Sequence, residues 1–83
     1  MLHKLKIRPK FFKAVISGEK TFEIRRNDRN FKVGDRIELK EYSKKSGFTG
    51  RSAMFDITYV MTDTEFVKKG FAVLGIKRYC PIL

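Results

Sequence analysis

The sequence predicts a small, mainly β domain with one or two short helices, its strands closed into a barrel. Three observations lead there. Apolar residues recur at every second position in several short runs, the pattern of half-buried strands. Clusters rich in Gly, Asn and Asp separate those runs. Helical spacing is clear only near the start. A chain of 83 residues has room for one core, so residues 1–83 read as one domain. So few strands leave edges to protect, and closure protects them best.

The first strand alternates His3, Leu5 and Ile7 with Lys4, Lys6 and Arg8, apolar groups inward and cations outward. Pro9 then opens a helix, since its missing N–H costs nothing at a first helical position. Phe12, Val15 and Ile16 share one face over Pro9 to Ser17, and Phe11 and Ala14 widen it. Gly18 is placed to end the helix with positive φ. In the strand Thr21 to Arg25, Phe22 and Ile24 share one face; Thr21, Glu23 and Arg25 share the other.

Asn27-Asp28-Arg29-Asn30 reads as a turn, and Val33-Gly34-Asp35 as a second, tighter one with Gly34 structural. A strand follows from Arg36 to Tyr42, with Ile37 and Leu39 facing in. Ser43 to Gly50 is expected as a flexible polar hairpin loop. Arg51 to Met61 is the longest strand, with Ala53, Phe55, Ile57, Tyr59 and Met61 on one side. Thr62 to Lys69 connects, with room for a short helical turn. Phe71 to Ile76 is apolar on both faces, which predicts a central strand covered on both sides. Gly75 within it marks a bulge or a close backbone approach.

Charge narrows the partners. Nineteen Lys and Arg against nine Asp and Glu give a net +10. Such an excess attracts polyanions, nucleic acid before anionic lipid. No apolar run is long enough to span a bilayer, and no signal peptide precedes the first strand, so the expectation is a cytoplasmic protein without a membrane partner. The lone Cys80 fits a reducing compartment. One His and scattered carboxylates offer no ligand set, so neither metal nor other cofactor is expected.

The polar residues richest in chemistry are Lys20, Glu23 and Arg25. Glu23 and Arg25 point the same way from an extended strand, roughly 6.6–7 Å apart. Arg25 offers a fork for a phosphate or base edge, and Glu23 can orient Lys20 or Arg25 or accept a base amino group. Equally, the trio reads as an exposed strand face with an ordinary ion pair. His3 reads either as a packed core residue or as a base. Lys6 belongs to a basic stripe with Lys4 and Arg8, whose sign suits phosphates. Arg51, after the Gly50 turn, could reach a ligand from a loop or serve only the surface. Phe48, Tyr42 and Phe31 are candidate stacking partners for a base.

The run Gly18-x-Lys20-x-x-Glu23-x-Arg25 resembles the G-x-K-x-x-E-x-R pattern of the ASCH (activating signal cointegrator homology) domain, in the PUA-like superfamily. A small bacterial and phage family related to ASCH resembles the chain more fully. The similarity runs through His3-x-Leu5-Lys6, Pro9-x-Phe11-Phe12-x-Ala14-Val15, Ser17-Gly18-x-Lys20-Thr21-Phe22-Glu23-Ile24-Arg25-x-Asn27-Asp28-Arg29, Phe31-x-Val33-Gly34-Asp35, Thr49-Gly50-Arg51 and Gly70-Phe71-x-Val73-Leu74-Gly75. It implies a PUA-like β-barrel with a cleft beside the motif that meets RNA or a nucleoside. Ligand contacts would come from Lys20, Glu23, Arg25, Lys6, His3, Asn27, Arg29 and Arg51. One ASCH-like branch removes acyl groups from modified cytidine with the motif lysine and a threonine three residues later; here that place holds Glu23. Thr21 is the nearby hydroxyl on the same pleat face. The sequence therefore favours an RNA- or nucleotide-binding module. A hydrolase of a modified nucleoside or of RNA, with Lys20, Glu23 and Thr21 as catalytic candidates, is the alternative, and an accessory interaction domain the third reading. No protein partner can be named from it.

Overall fold

A computed structural model describes residues 1–81. The order is β1 (Leu2–Ile7), α1 (Pro9–Ser17), β2 (Phe22–Arg26), β3 (Arg36–Ser43), β4 (Gly47–Met61) and β5 (Phe71–Arg78). All five strands form one sheet in the order β1-β3-β4-β5-β2. β1 runs parallel to β3, and every other pairing is antiparallel. The sheet curls into a half-barrel around a core that includes Leu5, Ile37, Leu39, Phe55, Ile57 and Leu74, with Phe12 and Val15 supplied by α1. The expected closure is only partial: β1 and β2 are the two edges of the sheet, with no ladder between them.

The first third of the chain follows its pattern closely, except that Phe11 and Ile16, expected on the packed face of the helix, are exposed and only Phe12 and Val15 are buried there. β1 alternates exposed and buried residues without a break. α1 starts at Pro9 and stops at Gly18, whose φ of 86° only glycine takes up without cost. Gly34 sits in the second turn at φ 94° and donates its N–H to the Ile57 carbonyl.

Elsewhere four expectations need correction. The Ser43–Gly50 loop shrinks to a turn over residues 44–46, because Tyr42 pairs with Phe48 and Ser43 with Gly47. Gly50, at φ 92°, lies in a bulge where Thr49, Gly50 and Arg51 together face Glu41. Tyr59 and Met61 do not share a side with Ile57. A second bulge at Thr58 shifts the register between Ile57 and Tyr59, so both side chains are exposed and Val60 packs on the core instead. Opposite it is Gly75, where a Cβ would lie 3.0 Å from Thr58 Oγ1 and 3.3 Å from Tyr59 Cβ. β5 lies inside the sheet, yet only Ala72, Leu74 and Ile76 on its inner face are buried. The 62–69 connection contains turns and no helix, which leaves α1 as the one helix among the described residues.

Candidate functional site

β2 turns its charged face inward. Glu23 and Arg25 pair with Leu74 and Ala72 of β5, both on the buried face, so the pleat carries the two charges toward the interior. Phe22 and Ile24 point out, 42% and 58% exposed. Glu23 is only 4% exposed. A carboxylate so placed needs partners, and both oxygens have one. Lys20 Nζ donates to Oε1, and Arg25 Nε donates to Oε2 at 2.9 Å. The ordinary exposed ion pair is thereby excluded.

Lys20 reaches inward because α1 ends sharply at Gly18 and the Lys20 N–H donates to the Ala14 carbonyl at 3.1 Å. Its ammonium also donates to the Phe22 carbonyl at 2.7 Å, and lies 4.9 Å from the Phe22 ring centroid and 5.6 Å from that of Phe11. Arg25 spans the gap in the sheet: its Nη2 donates to the Lys6 carbonyl on β1. Of five guanidinium N–H groups, three remain free of these bonds.

Between the edges of β1 and β2 lies a cleft of about 460 Å³. Phe11, Phe22, Ile7 and Ile24 supply apolar walls. Among the described residues Lys6, Arg8, Lys20 and Arg25 surround them with four cations to the one carboxylate of Glu23. Such a cleft is suited to a flat, anionic or polar ligand: the walls take its faces, and the guanidinium takes its oxygens. Sequence reasoning missed Phe22 and Ile24 as wall residues. Their exposure depends on which pleat face β5 buries, which local pattern does not reveal.

The remaining candidates are dispersed. Arg29 shares a neighbouring groove with Arg25 and Lys6, and its Nε lies 3.9 Å from Asp28. Asn27 is exposed, and its backbone N–H donates to the Gly70 carbonyl at 2.9 Å. Thr21 is exposed outside the cleft lining. His3 sits at the far end of β1, buried, with Nε2 2.9 Å from Asp35 Oδ2 and its ring edge-on to Phe31. Phe31 is itself buried, so it cannot stack a ligand. The His3 bond holds the Asp35 carboxyl below its ordinary range. Arg51 and Thr49 both donate to buried Glu41, at 2.9 and 2.7 Å, in a hollow beside α1 distinct from the cleft. Those bonds, Thr49 foremost, lower the Glu41 carboxyl as well. Among the described residues no three His, Cys, Asp or Glu side chains gather as a metal would require, and no helix is long and apolar enough to cross a membrane.

Residues 2–76 match the family described as the domain of unknown function DUF3850. The chain belongs to the DUF3850 family. A curated relative is the "Uncharacterized 12.9 kDa protein in GpA 3'region" of Escherichia phage P2, 39% identical over 67 residues. That match takes in 81% of this chain and 61% of the phage protein, so the DUF3850 chain spans about three-fifths of its relative's length. Every wall residue and cation of the cleft falls inside the matched family segment.

Proposed function

We propose that this DUF3850 chain is an RNA- or nucleotide-binding module of ASCH type on a PUA-like half-barrel, working in the cytoplasm. One observation carries the reading. Buried Glu23 fixes Lys20 and Arg25 against the wall of an apolar-lined cleft, leaving guanidinium donors free to meet a ligand. The net charge of +10 supplies attraction for phosphates. The resemblance of Gly18-x-Lys20-x-x-Glu23-x-Arg25 to the ASCH motif supports the same assignment.

The test is titration with ribonucleoside monophosphates and short RNAs across a salt series. Engaging about four phosphates of a single strand gives a log–log slope of affinity on salt near −3. Arg25→Ala is expected to weaken binding at least tenfold, and Arg25→Lys to restore part of it through charge without the fork. A flat salt response with both variants binding normally would overturn the proposal.

Hydrolysis of a modified nucleoside or of RNA is the second reading, favoured by the meeting of Lys20 and Glu23 at the cleft wall. A proton donor and acceptor side by side can serve general acid–base chemistry. Thr21 does not line the cleft, so water would be the nucleophile. Product formation in the same titrations, lost in Lys20→Ala and in Glu23→Gln, distinguishes the enzyme from the module.

A further inference from the structure

At the rim of the cleft, β1 and β3 place two like charges side by side. Lys6 and Lys40 are direct partners in the parallel ladder. Like charges in that position repel, and a fold normally answers them with a carboxylate nearby. Among the described residues neither ammonium has an acidic partner within ion-pair distance. The nearest acid along that face is Glu38, which pairs with Lys4 in the same ladder and accepts a bond from Ser52 Oγ at 3.0 Å. Aromatic rings lie beside the two ammoniums instead. Lys6 Nζ is 4.4 Å from the Tyr42 centroid, and Lys40 Nζ is 5.1 Å from that of Phe48. Phe48 is 53% exposed and meets Tyr42 edge-on at 5.1 Å.

Two grooves meet at Lys6. One carries Lys4, Lys6, Lys40, Arg25 and Arg29 around Phe48. The other carries Lys6, Arg8, Lys10 and Lys44 beside Tyr42. Among the described residues no carboxylate lines either groove, and Lys6 borders both as well as the cleft. A path of cations with aromatic faces therefore crosses β1 and joins the cleft at Lys6 and Arg25.

We infer that this path is a track for single-stranded nucleic acid, its phosphates on the Lys6–Lys40 pair and a base stacked on Phe48, while a neighbouring nucleotide occupies the cleft. The inference rests on the binding function proposed above and deepens it by naming the surface along which a strand would run. Single strands fit because stacking needs an exposed base face, which a duplex keeps inside its own stack. The repulsion between Lys6 and Lys40 is relieved when a phosphate lies between them.

The experiment uses the full chain and oligouridylates of increasing length, their DNA counterparts, a duplex of equal length and uridine monophosphate. Affinity is expected to rise with length over the first several nucleotides, and the duplex to bind more weakly than the single strand. Phe48→Ala and Lys40→Ala should each weaken the oligonucleotide about five- to twentyfold, within the range for losing one stacked base, and leave the monophosphate unaffected. Both residues are on the sheet's outer face, and an unchanged thermal melt establishes that the variants fold. If the monophosphate binds as well as the oligomer and neither variant matters, the track is refuted and the cleft stands. Should strands bind, weaken with Phe48→Ala and ignore Arg25→Ala, the track stands and the cleft reading fails. Tighter binding of the duplex, or no binding of any probe, overturns the track.

Discussion

Removing the charge of Glu23 leaves Lys20 and Arg25 facing each other at the cleft wall with no anion between them. Breaking a buried ion pair from one side costs about 3–5 kcal/mol. Lys20 and Arg25 still reach water, so Glu23→Gln is expected to cost about 2–4 kcal/mol, read from urea unfolding. The double variant Lys20→Met with Glu23→Gln should recover part of that loss; equal stability of the single and double variants would show that repulsion is not the cause. Asp35 and Glu41 behave differently, as acid sensors of the fold. Both carboxyls sit below their ordinary values of 3.8 and 4.5 when folded. Their stabilisation is complete above those values and disappears as pH falls through the folded ones, because the unfolded chain takes up the protons first. Unfolding midpoints should therefore decline below about pH 4.5, and the combined Asp35→Asn, Glu41→Gln variant should show a shallower acid slope. At this scale the sequence disclosed which β2 residues share a face and not where that face points. Spacing puts Glu23 and Arg25 on one face; only the pairing with Leu74 and Ala72 of β5 makes that face the inner one.

Among the elements, β1 and the bounds of α1 were the most legible because their signals are local: unbroken alternation, a proline start and a glycine stop. β4 was not, because a bulge is a property of two strands. Thr58 breaks the alternation that Ala53, Phe55 and Ile57 establish, and the visible trace of it in sequence is Gly75 on the partner strand. Gly75 has ordinary φ, so what it provides is space. Gly75→Ala is expected to cost about 1–2 kcal/mol by overpacking against Thr58 and Tyr59. Adding Thr58→Ala should return some of it, since the Oγ1 at 3.0 Å is the closer obstacle. Thermal melts of the two single variants and the double test this, and strict additivity would count against a direct clash. The same logic explains the shortened hairpin: two glycines suggested a loop, whereas Gly47 begins a strand and Gly50 occupies a bulge.

For the whole molecule, the mainly β class and a helix near the start followed from the periods of the sequence. Strand order did not, because pairings such as Phe22 with Gly75 join residues far apart in sequence. That order also bears on how the cleft comes into being. β3, β4 and β5 are consecutive antiparallel neighbours and can associate through short loops and turns. β1 and β2 must each wait for a distant partner, and closing long loops before any contact repays them slows those steps. The two banks of the cleft are thus expected to dock last, with Arg25 joining them once both are in place, an order that φ-value analysis would check. A ligand of the proposed kind, lying over that seam, would bind only the finished arrangement and would stabilise it by mass action. It acts as a clasp on a garment otherwise open at the front.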